Sequence, residues 1–408
     1  MASEPPAESP GSRESAYGFA VPFSFPVLFT RAVWNTGNPL LADIVAAHER
    51  GRRHRLLVFV DDGVAAAHPA LIRDISTYIT HHRTTLQLAA APVVLRGGET
   101  AKVDFSLVLD LLQRIHLAGL DRQSFVVAVG GGAVLDVVSF AAAIAHRGIR
   151  TIRMPTTVLA QDDSGIAVKT SVNMFGKKNF AGTFTPPFAV LNDLDFLDTL
   201  SRRDRVAGLS EAVKVALLRD PALLDFLEDH ARQIAGGEPA SLEHVVRRSA
   251  ELHLAHICGS GDPFEFGSAR PLDFGHWAAH KLETLTHHRI CHGEAVSIGI
   301  ALDVTYSVHA GFLAPATADR VLRILEALGL PIWDDALSLA EPDGTLSILA
   351  GLREFQEHLG GDLHVTMLRD VGRAFELTSM DHGAIRESVR LLHQCASATP
   401  SLQSSSAE

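Results

Sequence analysis

The chain has 408 residues, 47% of them hydrophobic and 20% charged, and a formal net charge of -11 at pH 7. That length exceeds one ordinary core and predicts two domains, while the composition describes a soluble globular protein with a large interior. The acidic balance excludes a nucleic-acid partner, which needs a basic face, but leaves room for local basic pockets around a phosphorylated metabolite. Three cysteines, Cys258, Cys291 and Cys395, supply neither a disulfide framework nor a CxxC pair, which fits a reducing cytoplasm. The opening MASEPPAESPGSRES is acidic and rich in Pro and Ser, with no basic n-region or apolar h-region. Residues 1–20 and 396–408 read as disordered tails. The longest apolar run, VVSFAAAIA, is too short to cross a membrane. A cytoplasmic protein with no membrane partner is expected.

In chain order, LLVFVD (56–61) is an apolar strand ending in the acidic pair Asp61 and Asp62. SFVVAVGGGAVLDVVSFAAAIAH (124–146) is a second strand, three glycines and a helical pattern. TIRMPTT (151–157) is a third strand, stopped by Pro155, and FAVLNDLDFL (188–197) a fourth. Wholly apolar strands separated by helical segments predict a parallel sheet covered on both faces. Beyond about residue 202 the pattern turns helical, in LSEAVKVALL, LEHVVRRSAELHLAHI, FGHWAAHKLETL, AVSIGIALDVTYSVHA and TADRVLRILEALG. The predicted fold class is α/β: a nucleotide-binding α/β domain over 21–200, then a mostly α-helical domain over 201–395. No internal repeat appears.

Gly130, Gly131 and Gly132 lie at a strand-to-helix turn, where a pyrophosphate can approach the backbone at a helix N-terminus. The run is not GxGxxG, and tight packing explains such a turn equally well. Thr156 and Thr157 stand just beyond a strand end, where ligands of open α/β sheets bind. VKTSVNMFGKKNFAGTF reads as a polar loop whose Lys169, Lys177, Lys178 and Asn179 make either a local anion site or a solvated surface. Glu211 and Lys214 lie one helical turn apart, by default a surface ion pair. Leu209, Val213, Val215 and Leu217 around them predict a partly buried face, on which a carboxylate needs a partner, a cation being one choice. His276 and His280, four apart, share one helix face, and His292 opens another helical segment. Two histidines and a carboxylate with open positions suit catalytic zinc or cobalt, whereas a His pair on a helix is more often structural. His287 and His288 fall in a polar linker and read as exposed.

The ordered set GGETAK, GGGAVLD, HRG, MPTTVLAQDDS, KTSVN, GKKN, LDFLDTL, GLSEAVK, DFGHWAAH and CHGEAVSIG resembles the sugar phosphate cyclases, the superfamily of 3-dehydroquinate synthase, from about residue 56 to 375. The resemblance implies NAD and one divalent metal, zinc or cobalt, as cofactors. It implies Glu211, His276 and His292 as metal ligands and His280 as a proton relay. Asp61, Glu99, Lys102, Gly131, Gly132, Asp136, Thr156, Thr157 and Thr199 would contact NAD. Asp163, Lys169, Lys178, Asn179, Lys214 and Arg147 would line the substrate pocket, with Lys169 and Arg147 directed at phosphate. The family is commonly dimeric, so a homodimer is expected, and Arg147 would come from a neighbouring subunit. The implied chemistry is transient oxidation of a carbinol, phosphate elimination, reduction, ring opening and intramolecular aldol closure, without net oxidation.

The chain departs from the quinate branch where that branch grips a substrate carboxylate. Its arginine, seven residues before the first metal histidine, falls on Ala269, with Arg270 one place off; its upstream lysine falls near Ala255 and His256. The family asparagine three before that histidine is Asp273, and His358 in EFQEHLGG stands near the C-terminal lysine pair. Asp273 would repel a carboxylate but accept hydrogen bonds from hydroxyls. AQDDSGIAVKT departs as well. These changes resemble the cyclases that take sedoheptulose 7-phosphate, a phosphorylated sugar, to 2-epi-valiolone or 2-epi-5-epi-valiolone. The alternatives are 3-dehydroquinate synthase itself and a metal-dependent polyol dehydrogenase of the glycerol dehydrogenase type. The latter would release NADH and has no need of Lys169, Lys178 and Lys214.

Overall fold

The computed structural model describes residues 18–103, 105–175, 177–267 and 271–398, except the side chains of His358, Leu359 and Ala398. Most of both expected tails, and Ala269 and Arg270, therefore lie outside the described residues. The strands are β1 (Val27–Thr30), β2 (His54–Asp61), β3 (Leu86–Leu88), β4 (Val93–Leu95), β5 (Phe125–Gly130), β6 (Arg150–Pro155), β7 (Lys169–Met174), β8 (Lys177–Phe184), β9 (Ala189–Asp193), β10 (Val365–Asp370) and β11 (Arg373–Leu377). Seven of them form one sheet in the order β1-β9-β6-β5-β2-β3, with β4 also on β2, and every pairing is parallel. The four strands read from sequence are β2, β5, β6 and β9.

Alternate residues of the central strands serve opposite layers. Leu57, Phe59, Val126 and Ala128 pack with the helices Phe105–Leu117 and Gly132–Ile144. Leu56, Val58, Val60, Phe125 and Val127 pack with Leu41, Ile75 and Tyr78 on the other side. Burial on both faces is why these strands read as unbroken apolar runs. From β2 the chain moves outward through β3 and β4, then returns to place β5, β6 and β9 on β2's other side. The direction reverses between the carboxyl ends of β2 and β5, the kind of crevice in which open α/β sheets bind ligands.

One expectation is corrected here. The segment read as a polar loop folds into the antiparallel hairpin β7–β8, paired from Lys169↔Phe184 to Met174↔Lys177. Along β8 exposed and half-buried residues alternate, so its period of two was hidden by lysines on the open side.

The second half is mostly helical, as expected, with the small β10–β11 hairpin added. Ser201 caps Arg202–Arg219 by accepting from the Asp204 amide, and Asp220 followed by Pro221 starts Pro221–Asp229. The helices Pro239–Gly259, His276–Leu285, His292–His309 and Pro315–Leu328 close one core around Leu209, Val213, Trp277 and Ile300. His292–His309 lies against its neighbours through glycine: a Cβ at Gly293 would collide with the Ala207 carbonyl, and one at Gly299 with the Gly275 carbonyl. Gly275, at φ +80, ends the approach to His276–Leu285 in a left-handed conformation that favours glycine. Among the described residues no helix is long and apolar enough to cross a membrane.

Candidate active site

The carboxyl rim of the sheet gathers the residues expected at a dinucleotide. Asp61, the last residue of β2, accepts from the Gly63 amide at 2.8 Å, and burial pushes its carboxyl up. The glycine turn after β5 leads into the thirteen-residue helix Gly132–Ile144. A Cβ at Gly130 would press on Asp61 and Val134, whereas one at Gly131 would meet nothing closer than Thr157 at 3.4 Å. The backbone at Gly131 can therefore be approached closely at a helix N-terminus, where its amide also faces the Asp61 carboxylate. Among the described residues, neither the hydroxyl of buried Thr156 nor Glu99 Oε2 has a hydrogen-bond partner. Thr157 accepts from the Ala160 amide; Thr199 donates to the Phe196 carbonyl and lies 2.9 Å from His68 Nε2. Next to His68 and Phe196 a cavity of about 430 Å³ opens between Trp34, Asp74 and Asp193. This set fits an elongated polar ligand laid across the switch point.

Lys102 changes the expected grouping. Its buried ammonium donates to Asp136 Oδ2 at 2.5 Å, Asn179 Oδ1 at 2.7 Å and Ser171 Oγ at 3.0 Å. Asn179, expected at the substrate, therefore shares one network with Lys102 and Asp136, expected at the dinucleotide. Ser171, in that network, was not foreseen.

Three helices bring Glu211, His276 and His292 together, with ligating atoms within 4.8 Å of one another. Glu211 Oε1 lies 3.7 Å from His276 Nε2 and 3.9 Å from His292 Nε2. Both rings are turned by their far nitrogens: His276 Nδ1 donates to the Phe274 carbonyl at 3.2 Å, and His292 Nδ1 faces Glu283 Oε2 at 3.1 Å. Burial, with Lys214 nearby, pushes the His276 imidazole down to about 3, so it is neutral, as a ligand must be. Glu211 is fully buried; Lys214 pairs with its Oε2 at 2.5 Å, and among the described residues Oε1 accepts no hydrogen bond. A fully buried carboxylate oxygen facing two imidazole nitrogens fits a divalent cation. His280 has its ring 5.5 Å from that of His276, and burial holds it neutral as well.

Each expected substrate lysine already has a carboxylate. Lys214 pairs with Glu211, Lys178 with Glu283 at 2.6 Å, and Lys169 with both oxygens of Glu265 at 3.0 and 3.2 Å. Burial alone would raise Glu283, but His292 and Lys178 hold it well below the usual range. Glu283 had a signal in the sequence: it lies seven residues after His276, on the same helical face. Glu265 had none. Asp163 lies in the turn Ala160–Ser164, with His253 Nε2 3.3 Å from Oδ1. Its neighbour Asp162 is wholly buried, and burial, then Asp163 and Glu211, drive that carboxyl well above its usual range. Asp273 is held low against burial by His276, Lys169 and Lys214.

Other expected residues lie apart. Arg147 follows Gly132–Ile144, which runs back from the rim for roughly 20 Å, and sits exposed at φ +63 just before β6 begins. The fold thus puts it at the sheet's opposite edge. His287 and His288 are exposed, as expected. His358 lies on Ala350–Leu359, with its side chain outside the description.

Asp303 was not foreseen either. Fully buried, it accepts from the Gly275 amide and Trp277 Nε1, each at 2.9 Å, and so holds the entry to His276–Leu285. Burial outweighs those bonds and pushes its carboxyl up to about 7. An unfolded aspartate ionises near 4, so between about pH 4 and about pH 7 the native protein keeps a proton that the unfolded chain releases. Stability therefore falls as pH rises through that window, by about 1.4 kcal/mol per unit, and levels above it. Asp303→Asn lacks this titration. Its melting-temperature deficit against the parent is expected to shrink between about pH 5 and about pH 8, and an unchanged deficit would contradict the assignment.

Two family models match the chain: 3-dehydroquinate synthase N-terminal over residues 92–207 and 3-dehydroquinate synthase C-terminal over 208–348. The chain is 32% identical over 371 residues to a 3-dehydroquinate synthase of Rhodospirillum rubrum, covering 90% of this chain and 92% of that one. It is also 32% identical over 310 residues to a 2-epi-valiolone synthase of Actinosynnema mirum, covering 74% and 77%. Its fold is similar to that of the 2-epi-5-epi-valiolone synthase ValA of Streptomyces hygroscopicus subsp. jinggangensis, solved with NAD+ and Zn2+ bound. That similarity has a TM-score of 0.82 at 29% identity, covering 93% of this chain and 99% of that one.

Proposed function

The chain belongs to the 3-dehydroquinate synthase family of sugar phosphate cyclases, and we propose that within it this member converts sedoheptulose 7-phosphate to a valiolone-type C7 cyclitol with loss of phosphate. The observation that carries the choice of sugar is Asp273. Its carboxylate is held in the anionic form among Lys169, Lys214 and His276. The helix that would supply a lysine grip offers Ala255 and His256 instead, and burial, then Arg219, lowers His256 toward the neutral form. Such a pocket repels a substrate carboxylate and accepts from a hydroxyl.

NAD would lie along Asp61, Gly131, Gly132, Thr156 and Thr199, with a divalent metal, zinc or cobalt, on Glu211, His276 and His292. When bound, the dinucleotide takes up and returns a hydride and the metal polarises a carbinol oxygen. The chain's own residues do the rest. Lys169 and Lys178 meet negative charge on phosphate as Glu265 and Glu283 yield to it. His280, neutral, accepts and returns a proton beside His276. Asp163 and Asp273 accept from hydroxyls and fix the sugar's orientation. Lys214, tied to Glu211, stabilises negative charge as it develops on oxygen. Arg147 reaches a phosphate only from a neighbouring copy, which supports a homodimer. Cys258 and Cys291 are free thiols, which fits the cytoplasm.

The test is turnover. Metal-loaded protein with NAD is expected to release phosphate from sedoheptulose 7-phosphate without accumulating NADH. Phosphate from only the heptulosonate phosphate used by 3-dehydroquinate synthases would overturn the choice of sugar. Steady NADH accumulation would instead identify a dehydrogenase.

A further inference from the structure

His253 lies inside the helix Pro239–Gly259, which packs against the turn Ala160–Ser164. It is 3% exposed. Its Nδ1 stands 3.3 Å from the Ser249 carbonyl and its Nε2 3.3 Å from Asp163 Oδ1. A carbonyl only accepts, so Nδ1 carries a hydrogen toward it and the ring is tethered to its own helix. Nε2 has no hydrogen-bond partner of good geometry among the described residues. It also lies within 4.8 Å of the Glu211 carboxylate. A buried ring nitrogen aimed at carboxylates and otherwise unpartnered calls for a role.

Asp163 is the complement. Its side chain is 28% exposed, so it opens to the cleft while His253 stands behind it. Lys214 and Lys169 surround it with positive potential. Among the described residues, His253 is the side chain recorded at ion-pair distance from the Asp163 carboxylate. Without that contact the carboxylate is free to turn toward Lys214, which already serves Glu211.

We propose that His253 is a positioning residue for the substrate side of this site: with acceptors at both its nitrogens, the ring donates from Nδ1 toward the Ser249 carbonyl and from Nε2 toward Oδ1 of Asp163, and so leaves Oδ2 to accept from a hydroxyl of the phosphosugar. The inference rests on the substrate-binding role proposed for Asp163. It gives the helix that carries Ala255 and His256 a purpose in a site without a carboxylate grip: its cargo is an imidazole that orients an acid.

The experiment is a double-mutant cycle with a rescue. Phosphate release is measured for His253→Ala, Asp163→Asn, the double variant and His253→Gln, whose amide nitrogen takes the place of Nε2. It uses whichever of the two heptulose phosphates the unaltered protein converts, so a wrong sugar leaves the cycle intact. His253→Ala is expected to lower kcat/KM by about 10- to 100-fold with metal content unchanged. The double variant should lose no more than Asp163→Asn alone, and His253→Gln should recover most of the loss. Additive losses, loss of metal, or a folded His253→Gln as impaired as His253→Ala would each overturn the proposal. Without turnover, the His253 ring nitrogen resonance should move in Asp163→Asn, and a stationary resonance would refute the contact.

Discussion

His276→Ala is expected to leave the protein without stoichiometric divalent metal and to lower phosphate release by at least about 10³-fold, since even partners behind a ligand cost 10–100-fold. Glu211, His276 and His292 come from three different helices, and the neighbouring histidines each group with one of the remaining two ligands, His253 with Glu211 and His280 with His292, not with both. His280 is one helical turn further on, and its ring stands 5.9 Å from that of His292. Removing His276 also leaves the buried Glu211 carboxylate with one imidazole fewer, so the metal-free variant should lose some stability. Elemental analysis after dialysis settles the matter, and one full equivalent of retained metal would refute the ligand role.

Gly299→Ala is expected to be among the most damaging single-methyl changes. The new Cβ would run into the carbonyl of Gly275, which cannot retreat: Gly275 is left-handed at φ +80 and its amide is bound by Asp303. Overpacking typically costs 1–3 kcal/mol, and separating two backbones belongs at or above that range, about 3 kcal/mol. That corresponds to a melting temperature lower by about 6–12 °C. Because Gly275 precedes His276 and Gly299 shares a helix with His292, the separation should weaken metal binding as well. Gly236→Ala is the control, since nothing lies within 4 Å of its Cβ. Equal melting temperatures for the two variants would contradict the packing argument.

What the sequence disclosed follows from how each feature is built. β2, β5, β6 and β9 were legible because burial on two faces writes an unbroken apolar run. β1, β3 and β4 were not, being three or four residues long and only partly buried. The β7–β8 hairpin was mistaken for a loop because its polar, lysine-bearing positions dominate the composition. In the site, His276 and Glu211 stood in recognisable motifs, whereas the carboxylates that hold the lysines did not. Lys178 meets Glu283 across 105 residues and Lys169 meets Glu265 across 96. Such pairings are created by the fold, and no local pattern announces them. Asp303 and His253 were hidden in the same way, each a polar residue inside an otherwise ordinary helix.

Lys102 has a consequence for how kinetics on this protein are interpreted. A single ammonium binds Asp136 on the helix behind the glycine turn and Asn179 on the β7–β8 hairpin, proposed to face the sugar. A change at any of the three displaces the other two, so apparent affinities for dinucleotide and sugar should drift together. Ordinary saturation curves would then assign one broken contact to two ligands. Only titrations of each ligand alone against the same variant would apportion the loss.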